Sequence, residues 1–151
     1  MKIAIRYQSH GGNTKEVAEI IAKIIGTTAE SIEKPIVDSV DLLIIGGGVY
    51  KWDIDSSLKN YLKNLDPTLV NSVAAFTTAG GMNKTNTILS IVKSIGINTE
   101  EETLPLKVGL RNHTALGKKK FKNITEKQIH IINDFINKLL RSNPCAIKTW
   151  Q

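Results

Sequence analysis

The chain of 151 residues contains one cysteine, Cys145. A lone cysteine closes no internal disulfide, and no cysteine–histidine grouping has the spacing of a structural zinc site. Aromatic residues make up only 5% of the sequence. The most basic run, Lys118, Lys119, Lys120 and Lys122, has only Phe121 beside it as a stacking surface, and no RNA- or DNA-binding motif accompanies it. Nucleic acid is therefore not the expected partner, despite a net charge of +6 and a pI near 9.4. That run reads either as a solvated loop or as a docking patch for an acidic partner. No apolar stretch approaches the roughly 20 residues needed to cross a bilayer. Met1 leads directly into a strand pattern, with no signal peptide, so the expected location is cytoplasmic.

Several nucleotide and phosphate motifs are missing too. There is no GxxxxGK[ST] loop, and no GxGxxG follows the first strand. A phospho-acceptor receiver would carry acidic residues at the ends of its first and third strands, where this chain has Tyr7-Gln8 and Gly46-Gly47. None of the three histidines falls in an evident triad with serine and aspartate, and His113 and His130 read as surface residues.

What remains is a strongly patterned α/β sequence. With 41% hydrophobic residues the chain is too apolar for disorder, and a single domain of this size buries roughly 70% of its unfolded surface. Strands are expected at 2–7, 28–33 (short), 41–46, 72–78 and 103–108. Helices are expected at 13–25, from Ser56 or Ser57 to Leu65, at 84–95, and from a Thr125 cap to Arg141. In the first helix Val17, Ile20, Ile21, Ile24 and Ile25 recur at helical spacing, and Gly26 stops it. Pro35 and Asp38 mark a turn where a crossover helix would be usual. The Thr125–Gln128 spacing fits a capping box. Segment 110–123 is expected to be irregular. Alternating strands and helices imply a doubly wound, five-stranded parallel sheet of order 2-1-3-4-5, whose ligand lies beyond the carboxyl ends of the strands.

Three loops meet at that edge. In Ser9-His10-Gly11-Gly12-Asn13-Thr14, two glycines let backbone N–H groups converge, and hydroxyls, an amide and a helix N-terminus join them. Such a turn holds a phosphate dianion without lysine or arginine, or it is simply a glycine-requiring turn. In Gly48-Val49-Tyr50-Lys51-Trp52-Asp53, the two aromatics suit a flat heterocycle or else cover the sheet edge. In Thr77-Thr78-Ala79-Gly80-Gly81-Met82-Asn83, small residues and free N–H groups suit the edge of a ring.

These segments, YQSHGGNTKEVAEIIA at 7–22, GGGVYKWDIDSSLKNYL at 46–62 and FTTAGG at 76–81, resemble the flavodoxin family over nearly the whole chain. The family's phosphate loop is usually Ser/Thr-x-Thr/Ser-Gly-x-Thr. Ser9, Gly12 and Thr14 match it, while Gly11 replaces a hydroxyl residue, whose hydrogen bond is either lost or supplied by His10. The resemblance implies an FMN cofactor, its ring bordered by Gly48–Trp52 and Thr78–Met82, with Tyr50 or Trp52 stacking. The third loop lacks the family's common outer-face tyrosine, which Met82 partly replaces. Flavodoxins are usually acidic, and this chain is basic. The implied function is electron transfer to a redox partner protein. An FMN-dependent oxidoreductase of quinones or similar small acceptors, including a protoporphyrinogen-oxidase-like enzyme, and a domain that has lost its cofactor are the alternatives.

Overall fold

The structure, a computed structural model, describes residues 1–108 and 124–143. The expected irregular segment 110–123, with His113 and Lys118–Lys122, lies outside the described residues, as do Cys145 and Trp150. In chain order the elements are β1 (Ile3–Gln8), α1 (Asn13–Ile25), β2 (Ala29–Ser31), β3 (Val40–Tyr50), β4 (Asp53–Ile54), α2 (Ser56–Lys63), β5 (Val70–Ala79), α3 (Thr85–Ser94), β6 (Asn98–Thr99), β7 (Leu104–Lys107) and α4 (Glu126–Arg141).

The sheet runs β2-β1-β3-β5, and its next position is filled end to end by β6 and β7. β6 pairs with Ser72 and Val73, and β7 with Phe76 to Ala79, all in parallel. The doubly wound order 2-1-3-4-5 thus holds, with a fifth strand broken at residues 100–103, where the chain leaves the ladder. The second departure is β4, which folds back antiparallel on the end of β3.

The middles of β3 (Leu42 to Ile45) and β5 (Val73 to Phe76) are apolar without a break because both of their faces are covered. On one face Leu42, Ile44, Ala74 and Phe76 pack with α1 and α4. On the other Leu43, Ile45, Val73 and Ala75 pack with Leu58 and Leu62 of α2 and Ile88 and Val92 of α3. Each of the large side chains removed from water in this way stabilises the fold by about 1.5–3 kcal/mol. The inward stripe of α1 is Val17, Ala18, Ile21 and Ala22. Ile20, Ile24 and Ile25 lie at its margin, partly buried against the same cluster. Gly26, at φ 89°, ends α1 and returns its N–H to the Ala22 carbonyl at 2.8 Å. The Thr125–Gln128 capping box opens α4.

A parallel crossover normally needs a dozen or more residues and a helix. Residues 32–39 cross from β2 to β3 with none. Arg6, only 8% exposed, takes over the fastening. Its guanidinium donates to the carbonyls of Ile5 (3.0 Å), Lys34 (3.0 Å) and Pro35 (3.4 Å). The Tyr61 hydroxyl of α2 donates to the same Lys34 carbonyl at 3.2 Å, and burial pushes its pKa up.

The third strand does not stop at Gly46 as its apolar run suggests. It continues through Tyr50, because Gly47 and Gly48 keep pairing with Gln8, Thr77 and Thr78. A Cβ on Gly46 would lie 2.4 Å from the Phe76 ring, one on Gly47 2.5 Å from Leu58, and one on Gly48 2.4 Å from the Tyr50 hydroxyl. Glycine is what lets the strand persist under these close neighbours.

Candidate functional site

The carboxyl ends of β1, β3 and β5 bring the three sequence segments together. In the first, Gly12 adopts a left-handed φ of 94° and precedes α1. That conformation is open to glycine at little cost. The Gly12 N–H donates to the Ser9 Oγ at 3.0 Å, folding the turn around itself. The amides that open α1 give this end its positive dipole. Gly11, by contrast, has no positive φ and nothing within 4 Å of where a Cβ would be.

Thr14 is 1% exposed, and its hydroxyl lies 2.7 Å from that of Thr78 at the end of β5. This pair joins the first segment to the third. The ring of His10 turns the other way. Its Nε2 lies 2.9 Å from Asp55 Oδ1, and its backbone N–H donates to the Tyr50 hydroxyl at 2.9 Å. The His10 and Tyr50 rings meet edge to face at 4.6 Å. The first segment is therefore fastened to the second as well.

The second segment is a hairpin rather than a loop. Val49 pairs with Ile54 and Tyr50 with Asp53, leaving Lys51 (φ 47°) and Trp52 (φ 73°) as the two turn residues. Positive φ at both positions matches the type I′ geometry that suits the twist of adjacent strands. For non-glycine residues it costs roughly 1–2 kcal/mol each. Polar contacts hold the hairpin's base. Lys59 Nζ bonds Asp53, and that contact holds the Asp53 carboxyl below the usual carboxylate range. Asp55 caps α2 through the Ser57 N–H at 2.9 Å, displacing the serines expected as caps. Its bonds to Ser57 and then to His10 lower its pKa to about 2.

The two aromatics of the hairpin part company. Tyr50 is pinned between His10 and Gly48. Trp52 is 77% exposed and lines a cleft of about 680 Å³ together with Val49, Lys51, Ala79, Gly80, Gly81, Met82 and Asn83. Thr78 and Ala79 belong to β5, so the third segment is a loop only from Gly80 on. It ends in a turn in which the Asn83 carboxamide oxygen accepts from Thr85.

Two further residues lie at this edge. Gln8 Oε1 and Thr77 Oγ1 are buried and have no hydrogen-bond partner among the described residues. Both flank Gly47 in the register of the sheet. Their strand-end positions were visible in the sequence, but their lack of partners was not.

The sequence matches the flavodoxin domain family over residues 4–113. The chain belongs to that family. A flavodoxin from the domain Archaea shares 18% identity with this flavodoxin domain, at a TM-score of 0.66, covering 92% of this chain and 99% of that one. The rubredoxin oxygen:oxidoreductase of the anaerobe Desulfovibrio gigas is similar at 16% identity and a TM-score of 0.63, over 97% of this chain and 37% of the larger protein. An NADH:FMN oxidoreductase is similar at 12% identity and a TM-score of 0.53, over 97% and 94% of the two chains. No curated protein sequence matches. Among the described residues of this flavodoxin domain, no group of His, Cys, Asp or Glu is arranged to hold a metal, and no helix is long and apolar enough to cross a membrane.

Proposed function

We propose that this flavodoxin domain binds FMN across the three segments and passes electrons through it. The observation that carries this reading is the Thr14–Thr78 hydroxyl pair. It sets the turn at the α1 N-terminus one residue away from Ala79, which lines the cleft. A phosphate site and a ring-sized cleft thus adjoin at one sheet edge.

The residues present fit the group. Ser9, Asn13, Thr14 and the Gly11 amide would hold the phosphate, in a turn that needs no cationic side chain. Gln8 and Thr77, with side-chain oxygens buried and unpartnered, are the groups left to take ribityl hydroxyls, because a buried polar atom costs free energy until it is paired. Val49, Trp52 and Met82 would face the ring. Trp52 is the stacking residue, because it borders the cleft while Tyr50 is already engaged with His10. When bound, FMN supplies reversible one- and two-electron chemistry. The chain's part is to hold the phosphate, exclude water from the ring's inner edge and leave its outer edge accessible.

The test is the absorption spectrum of the purified protein, with titrations of FMN and riboflavin. FMN bound at least tenfold more tightly than riboflavin supports the assignment. Equal affinities overturn it. Rapid steady-state turnover of NADH with quinones would move the reading from carrier to reductase.

A further inference from the structure

The turn that carries Trp52 is held against its own preference. Lys51 and Trp52 both adopt positive φ, and such residues keep that conformation only where their surroundings over-determine it. Three polar contacts brace the hairpin. Lys59 bonds Asp53 at its base. The other two come from a single residue of the first segment. The His10 N–H donates to the Tyr50 hydroxyl at 2.9 Å, just before the turn, and His10 Nε2 meets Asp55 Oδ1 at 2.9 Å, beyond it. The His10 and Tyr50 rings lie edge to face between these two contacts.

Both carboxylate oxygens of Asp55 are engaged. Oδ2 accepts from the Ser57 N–H and hydroxyl, and Oδ1 faces His10. With its pKa lowered to about 2, Asp55 is an ionised acceptor at neutral pH. Nε2 therefore carries the hydrogen of that contact in either charge state of the ring, and a second proton adds at Nδ1. Protonation puts a full positive charge on the donor without moving it, which converts a hydrogen bond into an ion pair. The other charged groups about the hairpin are Lys51 in the turn, Asp53, paired with Lys59 and in the field of Lys84, and Glu16 in the first turn of α1. Aspartate, glutamate, tyrosine and lysine ordinarily keep one charge state between about pH 5 and 8, where imidazole changes its own.

We infer that His10 is a positioning residue whose protonation tightens the turn presenting Trp52, so that the flavin site is better formed at the acid end of that range. The inference rests on the FMN reading of the cleft. The contribution is complete where the ring is protonated and declines as pH rises through its titration.

The experiment uses the full chain with Trp150→Phe, which leaves Trp52 as its one tryptophan. The anisotropy decay of Trp52 is recorded without ligand between about pH 5 and 8.5, and riboflavin is titrated over the same range. Riboflavin is the ligand because the phosphate of FMN itself gains a proton near pH ~6. As pH rises, the fast component of the decay is expected to grow and riboflavin affinity to fall about two- to fivefold, the scale of an ion pair this exposed. His10→Gln keeps a donor that does not titrate, and Asp55→Asn keeps the α2 cap without its charge. Each is expected to flatten both profiles. His130→Gln, exposed on α4, is expected to keep the parent's profiles. A flat anisotropy profile in the parent, or the parent's profile in His10→Gln or Asp55→Asn, would overturn the inference. A chain that binds neither FMN nor riboflavin at any pH fails the earlier reading instead, and the ligand-free anisotropy still decides whether His10 controls the turn.

Discussion

The contact between Thr14 and Thr78 separates what the fold needs from what the ligand needs. Both hydroxyls are buried, 1% and 5% exposed, and each is the other's partner at 2.7 Å. Thr14→Val keeps the shape and orphans Thr78. Thr78→Val orphans Thr14. An orphaned buried hydroxyl costs about 1–3 kcal/mol, whereas removing both partners together is nearly neutral. Each single variant is therefore expected to lose about 2 kcal/mol. A domain of this size moves by about 2–4 °C per kcal/mol, so the melting temperature falls by about 4–8 °C. The double variant is expected to melt within about 3 °C of the parent. FMN affinity follows a different pattern. Thr14→Val and the double variant both lose a hydroxyl that donates to a charged phosphate, worth about 1.5–3 kcal/mol, or roughly tenfold to a hundredfold. Thr78→Val keeps that donor and loses less. Riboflavin affinity is expected to change little in any of the three. Thermal unfolding without ligand and fluorescence titration with FMN and riboflavin read the two effects independently. The reasoning is refuted if the double variant is destabilised by the sum of the single ones, or if Thr14→Val leaves the preference for FMN over riboflavin intact.

Four other outcomes follow from the same geometry. Gly11→Ser meets open space at an ordinary φ, so it is expected to stabilise the free protein by about 0.4–1 kcal/mol and to raise FMN affinity several-fold by restoring a hydroxyl to the turn; weaker FMN binding would show that the turn does not hold the phosphate. Asp55→Ala removes the α2 cap and the His10 contact, costing about 1–2 kcal/mol. Because the Asp55 pKa is lowered from 3.8 to about 2, its contribution is complete above about pH 4 and is lost as pH falls toward 2, so acid unfolding curves of parent and variant should converge there. In a Trp150→Phe background the emission of Trp52 is expected to rise sharply when FMN is stripped, and Trp52→Ala to weaken FMN binding by more than Trp52→Phe, since a stacked ring is worth about 0.5–1.5 kcal/mol beyond its buried area; unchanged emission would remove Trp52 from the ring site. Arg6→Met leaves three carbonyl contacts unmade and is expected to lower the urea midpoint with no change in the ratio of FMN to riboflavin affinity.

Much of this architecture is legible in the chain because its signals are local. The Ile-rich helix closed by Gly26, the Thr125–Gln128 box and the apolar run at 41–46 each declare an element from their own residues. What escaped depends on partners far away in sequence. The extension of β3 through Gly47 and Gly48 follows from ladder contacts with Gln8 and Thr77. The break between β6 and β7 follows from pairing with β5. The turn at Lys51-Trp52 lacks the Asn-Gly or Asp-Gly signature of its type, so nothing in its composition announces a hairpin. At the site, Ser9–Thr14 and the second aromatic segment were readable as motifs. That Tyr50 closes on His10 while Trp52 faces the cleft was not, because a turn with positive φ breaks the alternation that would place both on one side. The lack of partners at Gln8 and Thr77 was hidden for a related reason, since an unsatisfied oxygen is a property of surroundings rather than of residue type.

The crossover at 32–39 has a consequence for how this domain tolerates change. Arg6 and Tyr61 grip it through the carbonyl oxygens of Lys34 and Pro35, and a carbonyl is much the same whatever side chain its residue bears. Val37, 72% exposed, and Asp38 beyond it contribute little to that grip. Lengthening a surface connection costs only about 0.6 kcal/mol per doubling. Foreign sequence spliced between Val37 and Asp38 would thus inherit an anchored entrance, outside the three segments gathered at the cleft. A scaffold builder or a lineage acquiring an extra module would find the same vacancy there.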